Sequence, residues 1–164
     1  MTLGEQFARE LKQEAATTRR VLERVPEPHF AWKPHEKSMS LGELAMHIAM
    51  LPRGIAELLR DPVTEVPTAP LVSPSTVEEI LAALESSVTF ATERLSSWSD
   101  DDLAVKWRMQ RNGQTLLEMP RAAMVRSVML NHSYHHRGQL TVYLRMLDVA
   151  LPSIYGPSAD EKVF

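Results

Sequence analysis

Asn131-His132-Ser133-Tyr134-His135-His136-Arg137-Gly138-Gln139 interrupts the most apolar helical stretch of the chain, which runs from about Pro120 to about Leu147. At roughly 100° per residue, Met124, Val125, Val128, Tyr143 and Met146 define one face of that helix. His132 projects onto the centre of this face, with His136 about 40° to one side and His135 about 60° to the other. Gln139 also falls near the centre, whereas Arg137 points the opposite way, towards solvent or a partner. An unpaired polar group on a buried face costs about 1–3 kcal/mol. The three histidines and the glutamine must therefore satisfy one another, a metal ion or ordered water.

Three further helical segments precede this one. Phe7, Leu11, Ala15, Thr18, Leu22 and Val25 recur at spacings of three and four, and Pro26 and Pro28 stop that helix. Ser40-Leu41-Gly42-Glu43 forms a capping box for a second, whose stripe is Leu41, Leu44, Ile48, Leu51, Ile55 and Leu58. Pro52 lies inside it and predicts a kink or break. A second box, Ser75-Thr76-Val77-Glu78, opens the third helix and its stripe, the cleanest: Val77, Ile80, Leu81, Leu84, Val88, Ala91, Leu95 and Trp98.

The connections set the topology. Asp61 to Pro74 carries Pro62, Pro67, Pro70 and Pro74 and reads as an extended loop. Its span at about 3.3 Å per residue reaches roughly 45 Å, more than the roughly 30 Å length of a 20-residue helix. Helices two and three can therefore lie parallel. Asn112-Gly113, between helices three and four, predicts a short β-hairpin. The 164 residues read as one all-α domain over 1–164, a four-helix bundle with a long crossover between helices two and three.

Composition narrows the function. The net charge of −3 and the lack of a basic stripe speak against nucleic acid. No run of about 18 apolar residues predicts a membrane span. Met1 to Glu14 is mixed polar and charged rather than a signal peptide, so a cytoplasmic location is expected. With no cysteine, a metal site must use His, Asp or Glu.

His132 and His136 stand four apart on one ridge, close enough to share an ion. His132 with His135, three apart, is a geometrically allowed rival. The zinc helix motif of metalloproteases needs Glu beside its first histidine; Ser133 stands there instead. His47 sits at the edge of the second stripe, facing a neighbouring helix, and bundles build metal sites from such inward side chains. Three neutral imidazoles suit Zn²⁺, Ni²⁺, Fe²⁺ or Mn²⁺ and leave at least one coordination position open for water or substrate. His29 and His35, in a Pro-containing loop, read as surface residues. Glu43, one turn before His47, has a general-base reading, but the capping box explains it. The nine methionines read as core filler.

Asn131-His132-Ser133-Tyr134-His135-His136-Arg137-Gly138-Gln139-Leu140, followed by Tyr143-Leu144-Arg145, resembles the signature of the DinB/YfiT-like superfamily. Ser40 to Ala49 resembles its second-helix motif, and Leu151-Pro152-Ser153-Ile154-Tyr155-Gly156-Pro157-Ser158-Ala159-Asp160-Glu161 resembles the tail of many members. The resemblance implies an up-down-down-up four-helix bundle, frequent homodimers, and a divalent metal, nickel or zinc above all, held by His47, His132 and His136. It also implies thiol-dependent chemistry, with transfer to or from bacillithiol, mycothiol or glutathione, including a maleylpyruvate isomerase. The expected function is therefore a metal-dependent transferase acting on a small-molecule thiol and an electrophilic substrate. The rivals are hydrolysis, with water in place of the thiol, and a non-enzymatic, stress-linked helical dimer. Gln139 is expected to hydrogen-bond a ligand imidazole, Arg137 to make an ion pair or a dimer contact, and His135 to lie beside the site or in an interface.

Overall fold

A computed structural model describes residues 1–68 and 70–162. Residue 69 of the expected crossover loop, and residues 163 and 164 at the end of the expected domain, lie outside the described residues. The chain is mostly helical. Helix α1 (Leu3–Leu22) opens on a capping box that the stripe beginning at Phe7 did not announce: Thr2 Oγ1 accepts from the Glu5 amide at 3.2 Å, and Thr2 N donates to Glu5 Oε2 at 2.8 Å. It ends short of Pro26, which instead leads into a single 3₁₀ turn at Glu27–His29.

Helix α2 (Leu41–Leu58) begins at the expected Ser40 cap. It runs through Pro52 without the expected break. The Arg53 amide, one residue beyond the proline, donates to Ser87 Oγ on α3 at 2.9 Å, so the neighbouring helix supports the backbone at this point. Helix α3 (Val77–Ser97) is capped by Thr76 rather than Ser75. Thr76 Oγ1 accepts from the Glu79 amide, so the cap sits one residue later than expected, and Glu79 Oε2 accepts from the Ser75 amide instead of closing a capping box on Thr76.

The expected hairpin is present as β2 (Lys106–Arg111) and β3 (Gln114–Pro120), paired antiparallel with an irregularity between Met109 and Gln110. Asn112 and Gly113 turn it with φ of 51° and 79°, the left-handed pair that a tight hairpin turn demands. The all-α expectation is corrected here. Part of the proline-rich loop forms β1 (Val63–Glu65) and pairs parallel with β2, giving a three-stranded sheet. A short helix α4 (Asp100–Ala104), capped by Ser99, precedes the sheet's second strand.

Three side chains fasten this sheet to the C-terminal end of α2. Thr64 Oγ1 and Trp107 Nε1 both donate to the Leu58 carbonyl, at 2.8 and 3.1 Å, and buried Arg121 Nε donates to the Leu59 carbonyl at 2.9 Å. They satisfy carbonyls that a helix terminus leaves unpaired.

The last helical segment comprises α5 (Arg121–Met124), a π-helical stretch (Val125–Asn131) and α6 (His132–Met146). The core falls into two clusters. One joins Phe7 and Leu11 of α1, Ala56 of α2, Leu95 of α3 and Met129 and Leu130. The other joins Leu22 of α1, Leu44 and Ile48 of α2, Ile80 and Leu84 of α3, and Leu140 and Leu144. The polar stretch quoted above lies between Leu130 and Leu140, where the two clusters meet. No helix among the described residues is long and apolar enough to cross a membrane.

Candidate metal centre

His47 lies about two turns into α2, the helix that opens at the Ser40 cap. Glu43 closes that cap: Ser40 N donates to Glu43 Oε2 at 2.7 Å and the Glu43 amide donates to Ser40 Oγ at 3.2 Å. The Ser40 backbone bond holds the Glu43 carboxyl below its usual range, which fits a structural carboxylate rather than a general base.

The rings of His132 and His136 face His47 from α6. One nitrogen from each of the three lies within 4.8 Å of the others. Ring centroids are 4.7 Å apart for His47 and His136, 5.7 Å for His47 and His132, and 4.4 Å for His132 and His136. Of the two pairs open on spacing alone, the structure brings together His132 and His136. His135 is exposed and edges the His136 ring at 5.2 Å without joining the triad. His29 and His35 are exposed and take no part.

Desolvation lowers the pKa of all three rings, and for His136, the most buried, to about 4. Neutral imidazoles at neutral pH are the form that ligates a metal. Gln139 Oε1 lies 2.7 Å from His136 Nδ1, accepts its proton and so leaves the Nε2 lone pair free. Nε2 of His136 and Nε2 of His132 are 2.6 Å apart, a separation that two facing lone pairs tolerate only with a proton or cation between them. Zinc–nitrogen bonds of about 2.0–2.1 Å in a tetrahedral site would set these atoms about 3.3 Å apart, so the two rings would have to separate to take the ion. The donor set fits a divalent ion: three neutral nitrogens, an outer amide on one of them, and partial exposure at His47 and His132.

The DinB family profile matches residues 1–162. The chain belongs to the DinB family. It is 26% identical over 157 residues to the uncharacterised protein YrdA of Bacillus subtilis (strain 168), covering 94% of this chain and 89% of that one. The crystal structure of the DinB-like protein YjoA of Bacillus subtilis superposes with a TM-score of 0.69 at 18% identity, over 97% of this chain and 99% of that one. A DinB-like protein from Bacillus cereus ATCC 10987 superposes with a TM-score of 0.67 at 24% identity, over 91% and 95% of the two chains. At these identities the structural likeness is one of fold.

Within this DinB fold the motif arginine departs from expectation. Arg137 does not point outward; it is 2% exposed. Its guanidinium donates to the Glu14 carbonyl at 3.1 Å and to Thr18 Oγ1 at 3.2 Å, pairs with Glu14 Oε2 at 2.7 Å and reaches the Tyr155 hydroxyl. His135 and Gln139, projected onto the buried face, are exposed, as is Met146 at 56%. The uniform 100° projection failed because the π-helical stretch upstream turns less per residue. Glu14, Thr18 and Tyr155 were the partners missed by sequence reading; an arginine flanked by buried-face positions was the signal available.

His136 makes the metal-free DinB chain acid-sensitive. Its folded pKa of about 4 lies below the ordinary 6.5, so the unfolded chain binds more protons between these values. This contribution to stability is complete above about pH 6.5 and drains away as pH falls to about 4. Melting curves of chelator-treated protein should show it, with a loss that shrinks in His136→Gln; an unchanged pH dependence in that variant would contradict the assignment.

Proposed function

We propose that the chain is a metal-dependent enzyme of the DinB type, a transferase in which a low-molecular-weight thiol attacks an electrophilic substrate at a site held by His47, His132 and His136. Its frame is an up-down-down-up four-helix bundle of α1, α2, α3 and the last helical segment. The shared clusters support this reading, since the first halves of α2 and α3 pack together and Leu140 and Leu144 meet the first half of α2. The observation that carries the function is the convergence of three desolvated imidazoles from α2 and α6.

A bound divalent ion would supply Lewis acidity that lowers the pKa of a coordinated thiol into the neutral range. The chain's own residues do the rest. His47, His132 and His136 present neutral nitrogens. Gln139 holds the His136 ring in one tautomer. His47 and His132 are half-buried, so a small molecule would reach the site past these two rings.

The test is turnover of a model electrophile by metal-loaded protein with and without added thiol. A rate at least about tenfold higher with thiol supports the reading, being a gain of roughly 1.4 kcal/mol in transition-state stabilisation. Equal rates would discard the transferase in favour of hydrolysis.

A further inference from the structure

Pro52 leaves one backbone group of α2 to be accounted for. It has no amide to give to the Ile48 carbonyl, the acceptor one turn back in a continuous helix. The next amide along does not take its place, because Arg53 N donates to Ser87 Oγ at 2.9 Å. Ile48 is 1% exposed and Pro52 is buried, so bulk water does not reach this carbonyl. Buried carbonyls almost always find a donor, since the polar group otherwise loses its hydration for nothing.

A cavity of about 10 Å³ lies at this point, where the four long helical segments meet. Ile48 and Pro52 line it from α2, Glu14 and Thr18 from α1, and Ser133 and Tyr134 from α6, while α3 closes it with apolar side chains. The space is about that of one water-sized sphere, and such a cavity holds a water when it offers two to four polar partners. Two hydroxyls have capacity to spare. Thr18 Oγ1 accepts from Arg137 at 3.2 Å and still has its own proton to give. Ser133 Oγ gives its proton to the Met129 carbonyl at 2.6 Å and keeps a lone pair. Glu14 and Tyr134 are engaged elsewhere, with Arg137 and Glu10.

We infer that this cavity is a binding site for one internal water, which accepts from Thr18 and donates to the Ile48 carbonyl and to Ser133 Oγ. Three bonds are the usual complement of a buried water. The water stands in for the amide that Pro52 lacks, which is one way a helix carries a proline without breaking. It also ties together the two helices that carry the histidines, because Ile48 directly follows His47 and Ser133 directly follows His132. The water site is independent of whether a metal binds there.

A high-resolution crystal structure of the unaltered protein should show one ordered water about 2.7–3.2 Å from the Ile48 carbonyl oxygen. A carbonyl with no water beside it would overturn the inference. A second measurement works in solution, where oxygen-17 relaxation dispersion counts long-lived internal waters. Ala15 also lines the cavity, so Ala15→Val fills it and should lower the count by one. Equal counts in the wild type and the folded variant would overturn the inference as well. The crystal measurement needs no substitution and decides the point if the variant fails to fold.

Discussion

Arg137→Met is expected to lower the melting temperature by about 6–12 °C, the equivalent of roughly 3 kcal/mol in a chain of this size. The guanidinium is almost wholly enclosed and ties α6 to two other parts of the chain: α1, through the Glu14 carbonyl and carboxylate and Thr18, and the tail, through Tyr155. Tyr155 also donates to Glu14 Oε2 at 2.8 Å, so the carboxylate depends on both partners. Removing one member of a buried pair costs about 3–5 kcal/mol because the other charge is left uncompensated. Glu14 is 21% exposed, which places the expectation at the lower end of that range. Arg137→Lys should recover less than half of the loss, since a single ammonium cannot reproduce the guanidinium fork that reaches Glu14, Thr18 and Tyr155 together. Thermal melts of the purified variants decide the matter: a fall under about 2 °C for Arg137→Met would mean that this network is not a stabilising anchor.

The inward turn of Arg137 shows what the sequence conveys and what it does not. Features written in a few adjacent residues were legible: the Ser40–Glu43 box, the Asn112-Gly113 turn, and a second histidine four residues from the first. Each depends on local geometry that holds whatever surrounds it. Features set by partners elsewhere were not. Pro52 marks a break in most helices, and only the packing of Ser87 beside it explains the intact one. Val63 to Glu65 carries too short a pattern to announce a strand; it becomes one because β2 lies alongside. The π-helical stretch is the most consequential case. Val125-Arg126-Ser127-Val128 reads as ordinary helix, and one slipped residue turned Arg137 inward and Met146 outward while leaving the four-residue spacing of His132 and His136 intact, since both lie after the slip. The site pair was therefore readable although the face that carries it was not. His47 followed from its place at the stripe's edge, and its convergence with the pair is a tertiary fact.

His47→Ala should carry the largest effect on ligand binding. Protein purified without a histidine tag and dialysed against zinc or nickel is expected to hold close to one equivalent, and the variant less than about 0.1. An outer partner lost from a metal site costs about 10–100-fold in affinity, so the loss of a direct donor should exceed about 10²-fold. Ala leaves His132 and His136 alone on one helix face, with no donor from α2 to close the third side. Stability should follow occupancy. Metal at 100 times its dissociation constant stabilises the folded chain by about 2.7 kcal/mol, or roughly 5–11 °C in melting temperature here, and this increment should vanish in the variant. His135→Ala is the matched control, because His135 sits beside the same rings but outside the triad, and it should retain both the stoichiometry and the shift. Two outcomes would sink the metal site. One is equal metal content in wild type and His47→Ala. The other is wild-type protein that binds no ion and melts identically with and without chelator, in which case the 2.6 Å contact between His132 and His136 is a proton-bridged structural pair linking one turn of α6.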